Sequence, residues 1–275
     1  MKSIRAKKSL GQHFLRSTKA LGQIVDAATL TPNDTVLEIG PGEGALTEVL
    51  LATGARVIAV ETDARCFALL TERFASAIAD KKFLLIEGDI RNEDVQKTLF
   101  KKAYLGTTPY KLVANIPYYI TGFLFRLFLE HLRQPTTIVV LVQKEVAMQI
   151  VARDGKEGIL SLSVKAYGAP RYVATVKSEA FKPAPKVDSA IIAITNISKA
   201  QLKDLSDEAY FSVVKAGLSA KRKMLLGNLA KGLDLSKEKL ESIFIELGIG
   251  IHTRGEDVPV EKWLLLAKAI AKKTD

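Results

Sequence analysis

Glu38-Ile39-Gly40-Pro41-Gly42-Glu43-Gly44 decides the fold. It follows a β-rich apolar run at 35–39 and precedes a helical pattern at 46–52. Glycine is needed where a backbone turns tightly and approaches a ligand with no Cβ in the way. The same residues read as Gly-x-Gly-x-x-Ala ending at Ala45, so glycines alone leave a nicotinamide dinucleotide site open. Working outward, further β-rich runs fall at 56–61, 83–87, 111–115, 136–143, 172–176 and 190–196. Helical patterns at 64–74, 123–131, 145–152 and 159–167 lie between them. The alternation predicts an α/β fold with βα units around a parallel sheet. The proline-containing loop 181–187 is too short for a helical crossover, so the last two strands are expected as an antiparallel hairpin at the sheet edge. The sheet is then mixed, seven-stranded and mostly parallel.

After Asn196 the β-like runs stop, and 198–207 is polar and linker-like. Two domains are expected, 1–198 and 199–275, the second small and all-helical. Its first helix is predicted to carry Phe211, Val214, Leu218, Leu225 and Leu229 as one apolar stripe. Later helices at 237–247 and 260–272 take Gly248 as a stop and Pro259 as a start. Of the 275 residues, 48% are hydrophobic and 25% charged, which excludes a disordered chain or a small stapled scaffold. No run approaches the roughly 18 apolar residues of a membrane span, and the basic start lacks the apolar centre of a secretion signal. A cytoplasmic protein without a membrane partner is expected. Cys66 stands alone, which permits no internal disulfide and no thiolate metal cluster, and is expected as inert packing. His13, His131 and His252 are scattered without metal-ligand spacing. Forty Lys and Arg against 30 acids give +10, the balance of a partner of polyanions or of a Lys-rich solubility surface.

Glu61 closes the second run about 20 residues after the glycine turn, where an acid accepts hydrogen bonds from ribose hydroxyls. Asp89 follows the third run, and Asn115 ends the fourth in Asn115-Ile116-Pro117-Tyr118. Gly40, Glu61, Asp89 and Asn115 therefore fall at or just beyond the carboxyl ends of different strands, which share the ligand-binding edge of an open α/β sheet. An exocyclic base amine is a poor nucleophile because its lone pair is delocalised into the ring. Acceptors aimed at both N–H bonds, the Asn115 side-chain oxygen and a main-chain carbonyl such as that of Ile116, would favour a more tetrahedral nitrogen. Pro117 stiffens the turn, and Tyr118 offers a ring for an extruded base.

Leu10-Gly11-Gln12-His13-Phe14-Leu15, Glu38 to Thr47 (EIGPGEGALT), Asn115 to Tyr118 (NIPY), Val142 to Ala147 (VQKEVA) and Phe181 to Ser189 (FKPAPKVDS) carry a further inference. Over nearly its whole length the chain resembles the small-subunit rRNA adenine N6,N6-dimethyltransferases. The resemblance implies a Rossmann-like class I methyltransferase fold that uses S-adenosylmethionine. It implies in-line transfer of the methyl group to adenine N6, twice on each of two adjacent adenines of 16S rRNA. The implied partner is the small ribosomal subunit, engaged as a monomer. By this resemblance His13 and Leu15 close over the methionine end of the cofactor, with Gly40 against it. Glu61 holds the ribose, Asp89 the cofactor adenine, and Asn115 faces both cofactor and target amine. Phe181 is implied as a second aromatic wall opposite Tyr118.

Lys221-Arg222-Lys223 is expected inside the first helix of the second domain, one to two turns after Lys215. By itself this is an ordinary basic face; the resemblance makes it part of the rRNA contact, with Lys221 where the family commonly has Arg. The basic start, Lys2, Arg5, Lys7 and Lys8, could touch RNA too. Three rival functions stay open: a large-subunit (23S) rRNA adenine methyltransferase conferring antibiotic resistance, a nicotinamide oxidoreductase, and a non-enzymatic ribosome assembly factor.

Overall fold

The structure, a computed structural model, describes residues 4–101, 104–131 and 133–274. Its strands are β1 (Phe14–Leu15), β2 (Thr35–Ile39), β3 (Arg56–Glu61), β4 (Phe83–Glu87), β5 (Lys111–Asn115), β6 (Thr137–Gln143), β7 (Ala169–Val176), β8 (Phe181–Lys182) and β9 (Ser189–Thr195). Seven form one sheet in the order β4-β3-β2-β5-β6-β9-β7. The five from β4 to β6 run parallel, and β9 is antiparallel to β6. β7 takes the edge beside β9, as the mixed-sheet reading expects. Val36, Leu37, Val57, Ile58, Val113, Val139 and Val140 are buried, so these central strands are covered on both faces and read as continuous apolar runs. β1 and β8 lie outside this sheet as a two-stranded antiparallel ribbon.

Three helices escaped the sequence reading, Thr18–Ala28, Ala75–Ala79 and Glu93–Leu99. Thr18–Ala28 is capped by Ser17, whose hydroxyl accepts from the Ala20 amide at 3.2 Å. It turns Ala20, Leu21, Ile24 and Ala28 inward and packs against β6 and the helix Ala45–Ala52.

By its contacts the chain divides into two compact units, which differ from the expected 1–198 and 199–275. The first comprises the residues up to Ala147 together with Arg171–Thr195; Met148–Pro170 belongs with the second, from Asn196 onward. The reason is packing. Helix Ile159–Lys165 buries Leu162 and Val164, and the Tyr210 hydroxyl donates to the Leu162 carbonyl at 3.2 Å. The Tyr167 ring faces Phe211 at 6.5 Å, and the Ser198 amide donates to the Tyr167 carbonyl at 2.8 Å.

The long first helix expected in the second unit is two helices, Asp207–Gly217 and Leu225–Leu233. Gly217 ends the first against the fully buried Trp263, where a Cβ would lie 2.4 Å from the ring, and the Leu225 amide that opens the second donates to the Thr253 carbonyl at 2.9 Å. The Asn228 amide donates to the carbonyls of Gly217 and Ala220, at 2.8 and 3.0 Å, satisfying acceptors that the helix end leaves open. Lys221, Arg222 and Lys223 are therefore exposed on the turn between these helices, not on a helix face.

Candidate active site

At the carboxyl ends of β2, β3 and β5, a cavity of about 1020 Å³, counted with its open mouth, brings together the glycine turn, Glu61, Asp89 and Asn115. β2 lies between β3 and β5, where the order of connection reverses, and an open α/β sheet forms its crevice at that point. Gly40 and Gly42 take φ of +68° and +59°. A Cβ on Gly40 would meet only Pro117, at 3.7 Å, so the turn leaves room for a ligand there; on Gly42 it would strike the Phe14 ring at 2.9 Å.

Glu61 shapes this turn from beneath. It is 3% exposed, and its two oxygens accept from the amides of Gly42 at 2.9 Å and Asp63 at 2.8 Å. Burial nevertheless holds its carboxyl above the ordinary glutamate range. Glu38, which the sequence reading gave no role, is fully buried and accepts from the Thr47 hydroxyl at 2.7 Å. Desolvation pushes its pKa up to about 8, so the neutral acid supports the first turn of the following helix.

Asp89 accepts from the Arg91 amide at 2.9 Å and from the Arg91 guanidinium at 2.5 Å. That partner holds the carboxyl below the usual aspartate range. The guanidinium carbon also lies 5.5 Å from the centre of the Tyr119 ring. Asn115 donates through Nδ2 to the His13 carbonyl at 3.2 Å. This bond fixes the amide, because the flipped form would set two oxygens together. Among the described residues nothing donates to the Asn115 Oδ1.

Tyr118 shares a hydrogen bond with the Ser189 hydroxyl at 2.7 Å, and its ring stacks near His13 with centroids 6.0 Å apart and planes at 20°. His13 is held in turn by Nδ1, which donates to the Pro183 carbonyl at 2.8 Å. His13, Leu15, Gly40, Glu61, Asp89, Asn115 and Tyr118 all line the cavity. Phe181 does not. It is 5% exposed, packs in the hydrophobic core and pairs with Leu15 across the ribbon, so the ring facing Tyr118 belongs to His13. An aromatic entering a ribbon over the core gains more from burial than from lining a wet cavity.

Two further carboxylates secure the segment that roofs the cavity. Asp63, buried at the cap of helix Ala64–Arg73, accepts from Gln12 at 2.9 Å and pairs with Lys7 at 3.6 Å. Hydrogen bonding to Arg65 holds it well below the ordinary aspartate range. Glu43 accepts from the Ile4 amide at 2.8 Å and pairs with Arg16. Arg5 and Lys7 thus lie on a tethered segment, the Arg5 carbonyl accepting from Arg65 at 3.1 Å; Lys2 lies outside the described residues. The sequence signal for Asp63 was its cap position two residues after a strand. Cys66 sits buried beneath, its thiol pushed up to about 12 by desolvation, as expected of packing.

A sheet whose order reverses above a glycine turn, with a buried acid on the neighbouring strand, is the frame of a nucleoside-cofactor site, and the chain's relatives make it a class I methyltransferase, the S-adenosylmethionine-dependent class. Solved structures with the same fold include a dimethyladenosine transferase from Plasmodium falciparum, with TM-score 0.77, 24% identity and coverage of 95% of this chain and 98% of that one. The 23S rRNA methyltransferase ErmE matches with TM-score 0.71 and 26% identity, covering 94% of this chain and 99% of that one. Residues 3–272 match the profile of the ribosomal RNA adenine dimethylases, and the chain belongs to that family. It is 44% identical over 261 residues to ribosomal RNA small subunit methyltransferase A of Dehalococcoides mccartyi (strain CBDB1), covering 95% of this chain and 87% of the relative. The protein of the same name from Fusobacterium nucleatum is 36% identical over 265 residues, covering 95% and 96%.

Proposed function

We propose that the chain dimethylates N6 of two adjacent adenosines in small-subunit (16S) rRNA during ribosome assembly. The observation that carries this reading is the Asn115 amide, oriented by the His13 carbonyl, in one cavity with the glycine turn, Glu61 and the Tyr118 ring. S-adenosylmethionine supplies an already activated methyl group, so no strong base is required of the protein. The residues fit that cofactor. Gly40 leaves open space against its methionine end, with His13 and Leu15 over it. A carboxylate offers about four lone-pair sites, and Glu61 turns them to the backbone amides of Gly42 and Asp63, with Thr62 as a further backbone donor, which leaves an acceptor for the ribose hydroxyls. Asp89, kept ionised by Arg91, would accept from the cofactor adenine in exchange for one of the four hydrogen bonds that Arg91 gives it.

On the substrate side, Asn115 Oδ1 and the Ile116 carbonyl would accept the N6 hydrogens, two before the first transfer and one before the second, and hold the nitrogen lone pair toward the methyl group; each transfer would break the sulfur–methyl bond, release S-adenosylhomocysteine and leave a cationic nitrogen that loses its proton to water. Tyr118 stacks one face of the extruded base and excludes water from that side. The test is to incubate unmethylated small subunits with the protein and labelled S-adenosylmethionine, then map the modified bases. Two neighbouring dimethyladenosines in 16S rRNA are expected; modification of 23S rRNA instead would transfer the reading to the large-subunit enzymes that ErmE represents.

The second unit supplies RNA contact through the exposed turn Lys221-Arg222-Lys223, and the monomer is the functional form. Reversing charge at Lys221 and Arg222 is expected to weaken RNA binding about ten-fold near 0.1 M salt. It should also reduce the slope of log K against log salt by roughly one to two. Titrations at several salt concentrations decide it, since an unchanged slope returns these residues to a solvated surface.

A further inference from the structure

The helix Thr121–Glu130 buries Thr121, Leu124, Phe125, Phe128 and Leu129 and turns Gly122, Phe123 and Arg126 outward. One turn earlier stands Tyr119, which lines the cavity mouth and is 53% exposed; Phe123 is 36% exposed. Tyr119, in the 3-10 turn Tyr118–Ile120, and Phe123, in the first turn of the helix that follows, are thus two exposed aromatic residues four positions apart that start at the mouth. Tyr119 is braced: a Cβ on Gly11 would lie 3.3 Å from its ring, and the Arg91 guanidinium lies 5.5 Å from its centroid. Two arginines belong to the same surface, Arg91, which pairs with Asp89 and lies by the Tyr119 ring, and the exposed Arg126, which pairs with Glu130 at 3.3 Å.

We infer that Tyr119 and Phe123 form an outer stacking step for the nucleotide next to the adenine held in the cavity. This rests on the functional reading above and names how the same site handles its second target. Extruding one base leaves its neighbour unstacked at the mouth, and the first apolar planes it meets are these rings. Every base offers a π face, so such a step accepts an adenine waiting its turn without reading its edge. These arginines and the chain's +10 charge suit a polyanion strand.

The test uses an RNA hairpin with two adjacent target adenines and 2-aminopurine at one of them. Its fluorescence is quenched on binding the wild-type protein when the probe stacks. Phe123→Ala and Tyr119→Ala are each expected to weaken binding about 5- to 10-fold and to relieve the quench. Neither should alter the salt slope, because stacking releases no counterions. Tyr119→Phe should restore binding and quench. A thermal transition checks folding, and Phe123→Ala, whose ring is solvent-facing, carries the test if Tyr119→Ala unfolds. Affinities within two-fold of wild type with the quench intact overturn the inference, and so does a weakened affinity with a flattened salt slope. A wild-type protein that methylates no small-subunit RNA overturns the functional reading, and this inference with it.

Discussion

Asn115→Ala lowers single-turnover methyl transfer by about 10²- to 10³-fold while RNA affinity stays within about two-fold, the scale seen when one preorganised polar group is removed from a reacting centre. The expectation follows from geometry. The Nδ2 bond to the His13 carbonyl leaves Oδ1 as an acceptor with no other duty among the described residues. Alanine removes that acceptor and unties His13 at the same point, yet touches none of the exposed cations. Asn115→Asp does not rescue, because an ionised carboxylate there faces the His13 carbonyl where a donor is needed. Chemical-quench measurements of methyl transfer beside fluorescence titration with RNA separate the two effects. Transfer at the wild-type rate would take Asn115 out of the mechanism.

Glu61→Gln raises the dissociation constant for S-adenosylmethionine about 100-fold, although the side chains are nearly isosteric. Glu61 receives the backbone amides of Gly42 and Asp63, one on each oxygen. An amide side chain turns one acceptor into a donor, so one N–H must face an NH₂ in a buried setting where an unmade bond to a charged group costs about 1.5 to 3 kcal/mol. A hundred-fold corresponds to about 2.7 kcal/mol. The glycine turn then loses its support together with the ribose acceptor. Calorimetric titration of the cofactor measures the change, and an affinity within three-fold of wild type would show that Glu61 only shapes the loop.

The sheet was legible in the sequence because its central strands are buried on both faces and end in polar or glycine residues where the ligand edge begins. Gly40, Glu61, Asp89 and Asn115 carry that edge, and the cavity gathers all four. Periodicity failed at the Lys221 turn for a physical reason. The seven-residue step from Leu218 to Leu225 suits two turns of one helix, but it also suits a corner that starts a second helix, and the Leu225 amide that donates to the distant Thr253 carbonyl belongs to the corner. Phe181 was misplaced because its motif specifies a loop near the site, not which way the ring turns; pairing with Leu15 sends it to the core. The domain boundary was drawn where strands stop, whereas Tyr210 reaches back to Leu162 across 48 residues, a contact that no local composition announces. Asp63 and Glu43 drew no role from the sequence because the opening segment that rests on them is distant along the chain.

The β1–β8 ribbon gives the order in which this protein comes into being. Phe14 and Leu15 are translated long before the strand they pair with, which ends at Lys182. A nascent chain that has emerged only as far as Tyr118 already encodes the cavity floor, while its leading segment has no rail to clip onto. Closure of the roof is thus a late event in synthesis, and a truncated product ending before β8 carries the motifs of a methyl-donor site on a vestibule with no lintel.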